Sequence, residues 1–184
     1  MTRAAAVRFL VAVAVVAGVV IGYWWLRAPE TTLVKVGHQA PDLELPSLGA
    51  QGKTRLSSFR GRPLLLVMFL SNCELCEAEV PAIERLHRRM LPRGLLVIGV
   101  SADQDRASLE AFVGRHQVTF PVLEDPGGLA LRQAYGTWQL PEAYLIDASG
   151  KVAAVWLGSV KWSGQDVQDA LSEVLPPPKH GSPP

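Results

Sequence analysis

The stretch Leu64-Leu-Leu-Val-Met-Phe-Leu70, followed by Ser71-Asn-Cys73-Glu-Leu-Cys76 and then by Val80, Ile83, Leu86 and Met90, decides how this chain folds. An unbroken apolar run of strand length reads as a strand buried on both faces. Apolar residues recurring three and four positions apart read as one face of a helix, which Pro92-Arg-Gly94 then ends. The two cysteines, the only ones in the chain, therefore stand where a buried strand passes into the first turn of a helix. Unpaired N–H groups and the helix dipole favour an anion at that place, so Cys73 should ionise more readily than a free thiol. A thiolate with a second thiol one turn away can attack a disulfide and then be displaced by its neighbour. The pattern points to thiol–disulfide exchange.

Outward from this motif, apolar strands and helical periods alternate. Leu95–Val100 is a second continuous strand, and Tyr144–Ile146 with Val152–Leu157 frame the turn Asp147-Ala-Ser-Gly150 as a hairpin. Leu109, Phe112 and Val113 follow Asp103–Arg106 at helical spacing, and Leu129–Tyr135 and Val167–Val174 are further helices. Strand–helix–strand alternation, a hairpin and a last helix predict an α/β fold with a mixed central sheet covered on both faces.

The ends of the chain have a different composition. Residues 9–26 carry no charge, follow Arg3 and Arg8, and finish in Tyr23-Trp-Trp25. This length crosses most of a hydrocarbon core of about 30 Å, and aromatic residues suit its boundary. A cleaved signal peptide has a shorter apolar region and small residues before the cut, so a retained transmembrane anchor is the preferred reading. The basic residues before it place residues 1–8 in the cytoplasm and the rest outside, in a compartment where disulfides persist. Residues 27–36 read as a tether, 37–175 as one domain, and 176–184, with five prolines, as a disordered tail. The chain holds 18 basic and 17 acidic side chains. Three of the basic ones belong to the anchor region, so the domain has no basic field for nucleic acid.

Several of these residues together resemble a known family. Cys73-Glu-Leu-Cys76, Pro81 in the following helix and Leu140-Pro141-Glu142-Ala-Tyr-Leu-Ile-Asp147 are similar to a thioredoxin fold. Gly37-His-Gln-Ala-Pro-Asp-Leu43 and the segments Val97–Asp103 and Phe120–Asp125 narrow the likeness to the membrane-anchored TlpA/ResA/CcmG group of thiol–disulfide oxidoreductases. The resemblance implies that Cys73 is the exposed nucleophile and Cys76 the buried resolving thiol. It implies a cis bond before Pro141, whose loop, with Leu140 and Trp138, lies along the substrate. It also implies no cofactor beyond the redox-active disulfide, a transmembrane electron donor of the DsbD/CcdA type, and exported proteins as clients, with apocytochrome c the best-known client of the group.

The chain departs from the group's pattern near the cysteines. Asn72 stands where tryptophan is common, Leu75 where proline is, and Val67 where relatives carry a buried Asp or Asn. Ser71 and Glu74 have the spacing of a capping box, which predicts a helix capped at Ser71 or Asn72. Glu74 opposes the helix dipole beside the nucleophile and so favours a reductant over an oxidant. Glu142, after Pro141, faces either the cysteines or water, and Glu79 points to water with a supporting role open to it. His38, His87 and His116 read as surface residues.

Other functions share parts of this pattern. A periplasmic oxidase or isomerase would have the same motifs and would favour the reduced pair. A peroxidase is suggested by Gly37–Leu43 and Ser101–Asp103, but the residues before Cys73 lack the Pro and Thr that polarise peroxide. A Cu(I) metallochaperone would hold its ion on the two thiolates.

Overall fold

Strand β3 (Leu64–Phe69) lies in the middle of a five-stranded sheet with all six residues buried. The structure, a computed structural model, describes residues 13–19 and 34–177. The chain divides into a unit ending at Thr32 and a second beginning at Leu33. Within the first unit residues 13–19 are helical. Residues 1–8, most of the anchor 9–26, most of the tether 27–36 and most of the tail 176–184 lie outside the described residues. Among the described residues no helix is long and apolar enough to cross a membrane.

The second unit begins with a small hairpin, β1 (Glu44–Pro46) and β2 (Lys53–Arg55). After β3 come helix α1 (Glu74–Met90), β4 (Leu96–Ser101), α2 (Arg106–Arg115), β5 (Val122–Glu124), α3 (Leu129–Tyr135), β6 (Glu142–Ile146), β7 (Val152–Leu157) and α4 (Gln165–Val174). The sheet order is β5-β4-β3-β6-β7. β4 lies parallel to β3, with Leu64 opposite Leu96 and Phe69 opposite Ser101, and β6 lies antiparallel on its other side. The mixed sheet expected from the sequence is therefore present, as is the hairpin of β6 and β7.

Alternation along β3 sends side chains to two separate cores. Leu65, Val67 and Phe69 pack with Cys76, Val80, Ile83, Leu86 and Met90 of α1, Phe112 of α2 and Leu171 of α4. Leu64, Leu66 and Met68 pack on the other face with Leu131 and Tyr135 of α3 and with Leu43 and Leu45. Each fully buried Leu, Ile or Met contributes about 1.5–3 kcal/mol, so the α1 stripe alone is a large share of what holds the motif in place. The opening segment is clipped to the β6–β7 turn by Gly37 N–H to the Val152 carbonyl (2.8 Å) and Ala40 N–H to the Gly150 carbonyl (2.9 Å).

Charges along α1 suit its dipole. Glu74 and Glu77 lie in the first turn, and His87, Arg88 and Arg89 in the last. Pro81 lies inside the helix and withholds the N–H that would bond the Glu77 carbonyl. Gly94, at φ 97°, ends the short turn after it in the left-handed conformation open to glycine.

His87 is not a surface residue. It is 7% exposed, faces Phe120 edge-on at 5.9 Å, and its Nδ1 has no hydrogen-bond partner. Position 87 falls one after Leu86 and four after Ile83, on the edge of the apolar stripe, and the thickness of the packing there covers it.

Candidate active site

Helix α1 begins at the first cysteine. Cys73 has extended backbone angles (φ −103°, ψ 114°) and is the N-cap, and its carbonyl accepts the first helical bond from Glu77 N–H at 2.9 Å. Its sulfur accepts from Cys76 N–H at 3.1 Å, the place that a serine or aspartate oxygen fills in an ordinary cap. This differs from the capping-box expectation. Ser71 does not cap the helix, because its N–H and its hydroxyl both donate to the Asp103 carboxylate, the N–H at 3.0 Å and the hydroxyl at 2.6 Å.

Cys73 and Cys76 are joined as a disulfide, with Cα atoms 5.2 Å apart. Cys73 is half-buried, whereas Cys76 is 1% exposed and sits in the α1 core beside Val67 and Ala143. An incoming group therefore meets Cys73 first. Val67 is itself 2% exposed, so this buried position holds no proton acceptor.

The Leu140–Pro141 bond is cis. The loop before it brings the Leu140 carbonyl oxygen to 4.0 Å from the Cys73 sulfur. The Pro141 carbonyl accepts from Gly158 N–H at 2.9 Å, which ties the loop to the end of β7. Beside Cys73 runs a groove of about 670 Å³. One wall is Ala102–Asp105 from the end of β4, and the other is Thr137–Leu140 with Arg132. Trp138 stands at its edge, 76% exposed, and Asn72 lines it next to the cysteine. Cys73, Trp138 and Leu140 thus line one groove, while Pro141, next in the chain, is buried and is not part of its lining. Glu74 and Leu75 are exposed on the first turn of α1.

Two acids lie elsewhere than expected. Glu79 is 5% exposed, not turned to water. Its carboxylate accepts from the Trp162 indole N–H at 3.0 Å and from Val160 N–H, and so links α1 to the segment between β7 and α4. Its position three residues after Cys76, inside the apolar stripe, was the available signal. Glu142 is 3% exposed, neither at the solvent nor beside Cys76. Its strand neighbours Ala143 and Leu145 face the Cys76 core, whereas Glu142 shares the opposite face with Tyr144, whose hydroxyl donates to it. Burial, with the Glu142 carboxylate beside it, pushes the Tyr144 phenol well above its ordinary value. Asp103 is the residue that sequence reading missed: it came into view only as an end of longer segments, with no role of its own.

Among the described residues no three His, Cys, Asp or Glu side chains gather as a metal site.

Known proteins agree with this geometry. Residues 36–155 match the AhpC/TSA family. The thiol-disulfide oxidoreductase ResA of Geobacillus thermodenitrificans is 31% identical over 147 residues, which cover 80% of this chain and 82% of that protein. The thioredoxin-like protein YneN of Bacillus subtilis is 29% identical over 130 residues, covering 69% and 74% respectively. Among solved structures, a thiol:disulfide interchange protein assigned as DsbE from Chlorobium tepidum superposes with a TM-score of 0.70 at 25% identity, over 77% of this chain and 98% of that one. Fold, cysteine pair, cis-proline loop and sequence likeness converge, and the chain belongs to the AhpC/TSA family, among its ResA-type thioredoxin-like thiol–disulfide oxidoreductases.

Proposed function

We propose that the domain reduces disulfides of exported proteins on the outer side of the cytoplasmic membrane, held there by an anchor at residues 9–26. The observation that carries this reading is the Cys73–Cys76 disulfide, with one sulfur at the floor of a groove and the other sealed in the core. In the reduced protein the Cys73 thiolate attacks a client disulfide, forming a mixed disulfide and releasing one client thiolate. Cys76, deprotonated, then attacks the Cys73 sulfur and releases the second client thiol. Two electrons pass to the client, and the protein is left with its own disulfide. The Cys76 N–H aimed at the Cys73 sulfur stabilises the Cys73 thiolate before the first of these steps. Glu74, exposed on the same turn, works against that stabilisation and shifts the pair toward a reducing potential.

Recharging the pair requires a dithiol donor. A transmembrane protein of the DsbD/CcdA type fills that place in the reading, and apocytochrome c is the favoured client. The catalytic residues in this reading are Cys73 and Cys76, with Leu140 and Trp138 forming the face that meets the client chain and the buried Pro141 shaping their loop. Glu79 supports α1, and the disulfide serves in place of any bound cofactor.

The variant Cys76→Ser tests the assignment, because it cannot resolve the mixed disulfide. Expressed in the native host, it is expected to accumulate covalent adducts through Cys73 with an exported protein and with a membrane donor. Capture of neither by this variant, under conditions where the wild-type protein exchanges, would sink the reading. A measured potential for the Cys73–Cys76 pair as oxidising as about −120 mV would turn the direction to that of an oxidase.

A further inference from the structure

The sequence around the active site encodes more than one start for helix α1, and the structure shows which one is taken. Ser71 and Glu74 have the spacing of a capping box. With Ser71 as cap, the helix would begin at Asn72 and Cys76 N–H would bond the Asn72 carbonyl as an interior helical donor. With Cys73 as cap, Cys76 N–H is one of the unpaired donors of the first turn, and it turns to the Cys73 sulfur at 3.1 Å. The start of the helix thus decides whether an N–H faces the reacting sulfur.

Asp103 holds the second arrangement. Its carboxylate accepts Ser71 N–H at 3.0 and 3.2 Å on its two oxygens, and Ser71 Oγ–H at 2.6 Å. It also accepts from Ser101 Oγ at 2.6 Å, while its own N–H donates to that hydroxyl at 2.9 Å. Ser101 is the last residue of β4 and wholly buried, so the carboxylate is fixed to the C-terminal end of that strand. Ser71, bound at both of its donors, cannot swing its hydroxyl to Glu74 N–H, and the Leu70–Cys73 turn, closed by Cys73 N–H to the Leu70 carbonyl at 3.4 Å, stays outside the helix.

We propose that Asp103 is a positioning residue for the exchange reaction: by occupying both donors of Ser71 it blocks the earlier helix start and keeps Cys73 as the cap whose sulfur receives Cys76 N–H. The proposal rests on Cys73 being the attacking sulfur. It adds a determinant outside the Cys-x-x-Cys segment, supplied by the strand after it.

Alkylation of the reduced full chain by iodoacetamide, followed against pH with the modified cysteine located by peptide mass spectrometry, tests it. Asp103→Ala is expected to free Ser71 for the cap and withdraw one charge-assisted hydrogen bond from the thiolate, leaving Cys73 about tenfold slower to alkylate below its midpoint. In Ser71→Ala/Asp103→Ala the Ser71 cap is gone, and the profile should return to that of Ser71→Ala alone. Ser101→Ala keeps the Asp103 charge, loosens its anchor, and should give a smaller fall in the same direction; it carries the test if Asp103→Ala does not fold. An unchanged or faster Cys73 in both Asp103→Ala and Ser101→Ala overturns the proposal, as does a double variant that stays as slow as Asp103→Ala. First alkylation at Cys76 in the wild type would instead overturn the choice of nucleophile.

Discussion

Glu79 shows how a single residue can be misread from spacing alone. Its charge argues for water, yet Cys76, Glu79, Val80 and Ile83 form one continuous stripe on α1, and all four are buried. Two N–H donors, from Val160 and Trp162, offset the cost of removing the carboxylate from water. Glu79→Ala would leave both donors unpaired and is expected to lower unfolding free energy by about 2–4 kcal/mol in a urea titration. Glu79→Gln keeps one acceptor oxygen and should lose less. Equal losses in the two variants would mean that the packing of the stem, not the hydrogen bonds, holds α1 to the β7–α4 segment. No property of the local sequence pairs residue 79 with residues 160 and 162, which are more than eighty positions away; the packing of α1 against that segment brings them together.

Elements were legible where their periodicity was strong. The α1 stripe, the buried runs of β3 and β4 and the β6–β7 hairpin all appear where apolar pattern and turn residues put them. The β1–β2 hairpin was not read, because its three-residue strands are too short for alternation to register. The start of α3 is set by a nearby side chain that is not its cap residue. Its N-cap, Gly128, has no side chain to offer, and the Asp125 carboxylate accepts from Ala130 N–H (3.1 Å) and Leu131 N–H (2.8 Å) instead. Within β4, Gly99 is where the sheet meets an aromatic layer. A Cβ there would lie 2.9 Å from a Phe69 ring carbon and 3.1 Å from one of Phe120. Gly99→Ala should therefore destabilise by about 1–3 kcal/mol through overpacking, measurable as a lower denaturation midpoint with an unchanged m-value. A neutral result would show that the two rings can shift without cost.

Across the whole molecule, buried titrating groups set how stability follows pH. Burial lowers the His87 value from its ordinary 6.5, with the Arg88 charge adding to it and Glu84 opposing, so the fold holds this ring neutral. The unfolded chain then takes up the proton first. Stability is complete above about 6.5 and falls as the pH drops through that value toward the folded one, by at most about 1.4 kcal/mol per pH unit. His87→Leu should remove this slope between about pH 7 and 5 in denaturant titrations, and a slope that persists would assign it elsewhere. At lower pH the carboxylates take over. Burial alone would raise Glu84, but hydrogen bonds from Thr119 and the Arg88 guanidinium outweigh it and hold the group below its ordinary 4.5. Asp42 and Asp147 are held low in the same way, by Ser57 and by the Ser149–Lys151 turn, against the pull of burial. Their contribution is present above the ordinary carboxylate range and is lost as pH falls through their folded values.

The buried strands β3 and β4, the helix between them, the β6–β7 hairpin and the cysteine pair at a strand-to-helix junction were determined by the sequence itself, because periodicity and short-range spacing carry those features, whereas the proline loop was read through the family resemblance. The tertiary structure alone decided which residue caps α1, where Glu79 and Glu142 point, and that Asp103 reaches the loop before Cys73. Each of these depends on a hydrogen-bond partner or a packed neighbour far along the chain, and only the closing of the sheet brings such partners within bonding distance.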